Sequence, residues 1–344
     1  MRKTFIVAYA ASLLGLAALV CVPAPSAASP GAPQSASPAS SSKTQASTAH
    51  SLAPLKTASA SSPAQSQIQA GSPPPTQAEI ISRAQVLISN QHRDDLALFD
   101  FERIERQVTR SGDDPSSSAD EKTFRVVPTG LGIYKILLKN GDRPVTSEEY
   151  RRQLESWVSA LELTLHPEDP RAQSILEKFE RKKRSRADLV DAARTAFLPK
   201  WLALETLNGR LCDVLELDPN PAFHPRNLPE EAMTHVQAKV WVDHASNQMA
   251  RGEARVIRDI PVGGGILGKV YRGSSFALDQ AEVAPGVWLP TRYEYDYSGR
   301  KFLFAFAQHQ VIEASRYRRL GPPQQILTMV QAELSSGKLD PSHP

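Results

Sequence analysis

The sequence predicts an α+β fold, a curved antiparallel sheet of roughly eight to eleven strands with a few helices. Three observations carry that expectation. After residue 198 the chain alternates apolar and polar residues in short runs. Turn dipeptides such as Asn208-Gly209 and Ser298-Gly299 separate those runs. Helical spacing is confined to the stretch from Gln77 and to residues 147–197. Strands joined by turns of a few residues pair antiparallel, because a parallel pair needs a long crossover.

The chain opens on a segment of different character. Residues 1–76 hold no Asp or Glu and only four basic residues, Arg2, Lys3, Lys43 and Lys56. The formal charge of +3 therefore belongs to this segment, and the remainder is close to neutral at −1. A basic folded surface of the kind that binds nucleic acid is not implied. Arg2 and Lys3 precede an apolar run from Phe5 to Val22, and Ser26 and Ala28 follow at the −3 and −1 positions of a cleavage site. Residues 1–28 thus read as a secretory signal peptide; left uncleaved, the same run is an anchor at the short limit of a bilayer span. Val20 before Cys21 is too large for a lipoprotein acceptor site. Cleavage leaves Cys212 alone, so no internal disulfide can form, and its strand context reads as a buried thiol.

Residues 29–76 form a Ser/Ala/Pro/Gln tract that cannot bury enough surface to offset its ordering entropy, so a disordered linker is expected. As a flexible coil it spans roughly 40 Å. The folded domain is expected over residues 77–337, with a short flexible tail at 338–344.

Order begins after Thr76, whose pairing with Glu79 makes a capping box for a helix through Ile88. Leu96 to Phe101 reads as strand running on through Ile104 and Val108, then a polar turn at Gly112 to Pro115. Strands follow at Thr123 to Val127 and Ile133 to Leu138, the second closed by Asn140-Gly141-Asp142. Tyr150, Leu154, Trp157, Leu161 and Leu165 recur at helical spacing after Ser147. Two further helices are expected, one holding Ile175, Leu176 and Phe179 and one covering Ala187 to Phe197, separated by the basic run 181–186. Strands at Trp201 to Thr206 and Arg210 to Leu217 flank Asn208-Gly209; others are expected at Val236 to Val242 and Ala250 to Val256. The remainder reads as Lys269 to Leu278, Val287 to Tyr297, Lys301 to Ala307 and Val311 to Tyr317.

No motif builds an active site. His224, Glu230, Glu231 and His235 match no zinc spacing, and Pro221, Pro225 and Pro229 place them in a loop. The run Gly263-Gly264-Gly265-Ile266-Leu267-Gly268-Lys269 resembles a phosphate cradle, yet no helix follows to supply a field. Ser274 sits in no nucleophile elbow. The unusual feature is large apolar residues on single strand faces. Phe302, Phe304 and Phe306 share one face; Val287, Leu289, Tyr293, Tyr295 and Tyr297 share another. A sheet apolar on one face must cover it with helices, a second sheet or a ligand.

Three segments resemble the outer-membrane lipoprotein-sorting (LolA/LolB-like) superfamily. They are the paired strands Lys239 to Asp243 and Ala250 to Val256, the hairpin Leu204 to Leu217, and Gly286 to Arg292. The resemblance implies an unclosed antiparallel barrel whose concave face is covered by helices and receives acyl chains. Its implied setting is the periplasm, in outer-membrane lipoprotein sorting or lipid trafficking. The long linker and the lack of an acylated cysteine depart from the family's carriers and acceptors.

The expectation is thus a non-enzymatic binding protein with no cofactor, no metal and no nucleic-acid partner. Its ligand is a lipid or lipoprotein acyl chain, and about twelve buried methylenes supply roughly 10 kcal/mol before ordering costs. The expected lining is Phe99, Phe101, Val240, Val256, Leu289, Tyr293, Phe304 and Phe306. The alternative is the same fold, dry inside, docking a membrane surface or envelope protein through residues 263–268 or 181–186.

Overall fold

The computed structural model describes residues 74–112, 118–337 and 339–342. The expected signal peptide, almost all of the linker and the turn at Asp113 to Pro115 lie outside them. Helix α1 spans Gln77–Ala97, and both bonds of the Thr76/Glu79 capping box are made. The apolar run at Leu96 to Phe99 is not strand. The helix continues to Ala97, a 3-10 turn covers Leu98–Asp100, and β1 begins at Phe101 and ends at Ser111. Short apolar runs suit either period. Here burial of Leu98 against Phe101 and Leu289 decides.

Strands β2 (Asp120–Pro128), β3 (Ile133–Asn140) and β4 (Arg143–Pro144) complete a first meander. Helix α2 spans Ser147–Leu165, capped by the Thr146 hydroxyl, which accepts from Glu149 N at 3.1 Å. Helix α3 spans Pro170–Ala196 without a break, so the two expected helices are one. The basic run sits in its middle. Lys and Arg are good helix formers, and no Gly or Pro interrupts residues 171–196.

The second meander holds β5 (Phe197–Leu207), β6 (Arg210–Pro219), β7 (Val236–Asp243) and β8 (Met249–Val256), with the short helix α4 (Leu228–Met233) before β7. Asn208 and Gly209 turn the first hairpin with φ of 51° and 78°, as a two-residue turn of this twist requires. Then come β9 (Ile260–Val262), β10 (Gly268–Val270), β11 (Ser275–Ala284), β12 (Val287–Lys301) and β13 (Phe304–Arg319). The expected strand Lys269 to Leu278 is therefore two, and the expected pair Lys301 to Ala307 and Val311 to Tyr317 is one. Ser298-Gly299 is not a turn. It lies inside β12, and the turn falls at Phe302 and Leu303. Gly299 is needed for close approach: a Cβ there would stand 2.3 Å from the Lys269 carbonyl of β10.

The thirteen strands make one sheet, more than the sequence suggested, in the order β4-β3-β2-β1-β13-β12-β11-β8-β7-β6-β5, with β9 and β10 branching from β12. Every pairing is antiparallel, and the sheet does not close. Its two edges, β4 and β5, are consecutive in sequence. The chain through α2 and α3 must therefore cross from one edge to the other. Helix α5 (Pro323–Ser335), to which the sequence assigned no element, packs beside α2.

Two large clusters form the core. Tyr150, Leu154, Trp157 and Leu161 of α2 pack with Val127, Ile136, Ile326 and Val330. Leu339, assigned to the tail by sequence, is buried in the same cluster. The other cluster joins Val240, Val256, Phe276, Leu278, Tyr293 and Ile312 beneath Ile80 and Leu87 of α1.

Candidate functional site

Between α1, α3 and strands β5 to β8 lies a cavity of about 130 Å3. Ala84, Leu87 and Ile88 face it from α1, and Val190 and Ala193 from α3. Leu215, Leu217, Ala238, Val240 and Phe276 face it from the sheet. The strand alternation dictates this wall, since residues two apart share a face. Gln91, Arg194 and Glu253 complete the lining as its polar members.

Besides the packing of Ile80 and Leu87, polar contacts at positions flanking the cavity hold helix α1 over it. Arg83 pairs with Asp213 of β6. Asn90 Nδ2 donates to the carbonyls of Ser246 and Asn247, at 3.3 and 3.1 Å. Arg93 donates to the Gly286 carbonyl at 3.0 Å, and the Asp94 carboxylate accepts from Trp288 N at 3.3 Å. Of its 21 residues only Ile80 and Asp94 are fully buried. Burial pushes the Asp94 and Asp95 carboxyls above their ordinary range, against the opposing pull of Arg93 and Arg186 respectively. Arg186 of α3 stands 3.8 Å from Asp95 and ties the two helices together at the end of the cavity.

Of the eight residues expected to line a cavity, Val240 lines this one. Val256 and Tyr293 lie in the adjoining core. Phe101 and Leu289 belong to a separate cluster with Leu98. Phe99 meets Phe179 of α3 edge-on at 5.3 Å. Phe306 packs edge-on against Tyr297 at 5.9 Å, and Phe304 is exposed. Part of the scatter has a local cause. Pro290 pairs with Gln280 and Arg292 with Asp279, so Thr291 is an extra residue, and the phase reverses between Leu289 and Tyr293. Phe304 follows the turn at Phe302 and Leu303 and pairs with Lys301 at the end of β12, where it is exposed. Ala84, Leu87, Ile88, Val190 and Ala193 were missed. Their signal was the apolar spacing of α1 and α3, which does not say which sheet face a helix will cover.

The remaining candidates take structural places. Cys212 is fully buried, and burial with the charges of Asp243 and Asp213 pushes its thiol up to about 11. Glu230 is buried at the start of α4, where its carboxylate accepts from Arg226 at 2.8 Å. Among the described residues no three His, Cys, Asp or Glu gather to hold a metal. The glycine run turns between β9 and β10 with no helix after it.

Outside the cavity, charge is buried among strands β1 to β3. Glu105 contacts Arg103 at 2.7 Å and Lys135 at 2.5 Å. Burial would raise its carboxyl, but the two cations prevail and hold it down to about 2. Arg125 donates to Tyr150 Oη at 2.7 Å and to Glu333 at 3.0 Å, and its guanidinium lies 5.3 Å from the Trp157 ring.

No family model and no curated protein matches the chain. Solved structures do. One is an outer membrane lipoprotein-sorting protein domain from Vibrio parahaemolyticus, 11% identical over 74% of this chain and 100% of that one, with a TM-score of 0.32. Another is a LolA superfamily protein from Nitrosomonas europaea, 14% identical over 74% and 98%, TM-score 0.26. A third is a DUF1329 family protein from Desulfovibrio piger, 10% identical over 70% and 92%, TM-score 0.27. The first two carry the family description that the hairpins at 204–217 and 239–256 resemble. At these scores they add nothing to the architecture, which rests on the strand order and register.

Proposed function

We propose that this protein is an exported, non-enzymatic binding protein that holds the acyl chain of a lipid or lipoprotein between α1, α3 and the curved sheet, in outer-membrane lipoprotein sorting or lipid trafficking in the periplasm. The observation that carries this reading is the largely apolar cavity under α1, a helix with polar contacts at both ends of the space it covers. An apolar hole of about 150 Å3 accepts a molecule the size of benzene. A twelve-carbon chain therefore enters the 130 Å3 space only if α1 moves outward. The arrangement suits that movement: the bonds of Arg83, Asn90 and Arg93 can be exchanged for water, and the uncovered sheet face offers Val240 and Phe276 to the chain.

Native mass spectrometry of protein recovered from a periplasm without detergent, followed by solvent extraction, tests the reading. A bound lipid or fatty acid, or saturable uptake of a fluorescent fatty acid, is the expected result. The smallness of the closed cavity favours the second reading, a dry docking module of the same fold. A clean apo mass with no uptake selects it.

A further inference from the structure

Five of the twelve large apolar side chains exposed among the described residues gather at one end of the sheet, away from the cavity. Ile266 and Leu267 sit in the turn between β9 and β10; Phe302, Leu303 and Phe304 sit at the turn between β12 and β13. Ile266, Leu303 and Phe304 are 79%, 87% and 78% exposed. The two turns are held side by side. Gly268 pairs with Lys301 and Lys269 with Arg300, Phe302 N donates to the Leu267 carbonyl at 3.1 Å, and Arg300 donates to the Gly265 carbonyl at 3.1 Å. Single exposed apolar residues are ordinary, but a protruding cluster of this size is not.

The charge around this tip is predominantly basic: Lys269, Arg300 and Lys301 stand there, and Asp259, paired with Lys269 at 3.4 Å, is the acid beside them. Lys269, Arg300 and Lys301 stand one to three residues behind the apolar points along their strands, about 3–10 Å at strand spacing. Between the turns an open groove of about 600 Å3 is lined by Ile266, Phe302 and Leu303 together with Lys269 and Arg300. Apolar side chains ahead of a basic collar match the layering of a lipid surface, acyl chains below and phosphates above.

We propose that this tip inserts into the surface of an anionic phospholipid bilayer, with Phe302, Leu303 and Phe304 among the acyl chains and Lys269, Arg300 and Lys301 at the phosphates. The surface of a protein partner would present its own carboxylates to this collar but would not need two protruding turns. The insertion does not depend on what the cavity holds.

The test uses the exported protein with phosphatidylcholine vesicles containing or lacking phosphatidylglycerol. Binding to the anionic vesicles is expected to fall by about tenfold or more in Leu303→Glu/Phe304→Glu and in Lys269→Glu/Lys301→Glu. It is also expected to weaken as salt rises from about 0.1 to about 0.5 M, where the screening length shortens from about 10 to about 4 Å. The altered side chains of the first variant are exposed, so its melting temperature stays that of the parent. A Leu303→Trp variant adds a readout specific to the tip, because no native indole lines it. Its additional emission shifts blue and is quenched by brominated acyl chains. Absence of that quenching, or equal vesicle binding by the parent and both charge variants, overturns the proposal and leaves the tip to a protein partner.

Discussion

Arg83 of α1 forms an ion pair with Asp213 of β6, 130 positions later in the chain, and this contact fixes where the helix lies on the sheet. Asp213 is buried, and its carboxylate also accepts from Trp201 Nε1 at 3.1 Å and lies 2.8 Å from His244 Nδ1. Asp213→Ala leaves those partners without an acceptor and is expected to cost about 2–4 kcal/mol. Arg83→Ala removes a partly exposed cation and costs about 1 kcal/mol. Both should accelerate hydrogen exchange across residues 77–97. Unchanged exchange in Arg83→Ala would show that the pair does not hold the helix down.

Ala84 faces the cavity from α1. Ala84→Leu adds three carbons to an apolar hole at about 0.8 kcal/mol each, and Leu is nearly as good a helix former as Ala. Urea unfolding should show a gain of about 1–2 kcal/mol together with reduced acyl uptake. A loss of stability would mean that the space is not there to be filled.

Glu105 makes the domain sensitive to acid. Its carboxyl titrates near 2 in the folded protein against about 4.5 when unfolded, so the unfolded chain binds more protons between those values. Stability from this group is fully present above about pH 4.5 and is lost as pH falls through about 2, to a total of at most about 3 kcal/mol. Glu105→Gln should be less stable at neutral pH and should lack that part of the acid slope in thermal melts from pH 5 to about 2. An acid slope equal to that of the parent would refute the assignment.

Glu333 ties α5 to the sheet. Its carboxylate accepts from Arg125 Nη1 through both oxygens at 3.0 Å and from Tyr150 Oη at 2.8 Å. Glu333→Ala leaves the buried Arg125 with Glu102 as its carboxylate partner and is expected to cost about 2–4 kcal/mol. Limited proteolysis should then remove residues 323–342 first. Tyr150→Phe, which keeps the ion pair, should cost only about 1 kcal/mol and leave the cleavage pattern unchanged.

The hairpins at 197–219 and 236–256 were legible because their signals are local: Asn208-Gly209 demands left-handed backbone, and strict alternation sorts Val240 from Trp241 onto opposite faces. The capping box at Thr76 was legible for the same reason. Phase errors arose where one residue changes everything downstream. Thr291 bulges out of β12, and Phe302 with Leu303 turns where alternation alone continued a strand. Gly299 looked like a turn residue because sequence cannot distinguish a glycine needed for its backbone angle from one needed for a neighbour's carbonyl.

By itself, the sequence determined that the domain is an antiparallel sheet with few helices and that Cys212 lies in a strand. Those properties follow from periodicity, turn chemistry and composition, each read within a few residues. Only the tertiary structure decided that β1 and β13 pair at the middle of the sheet, that α1 and α3 cover β5 to β8, and that Phe304 faces solvent while Val240 faces a cavity. The pairing of β1 with β13 and the seating of α1 depend on contacts between residues more than a hundred positions apart. Such contacts are selected by the burial of whole faces against one another, a quantity that no local stretch of sequence contains.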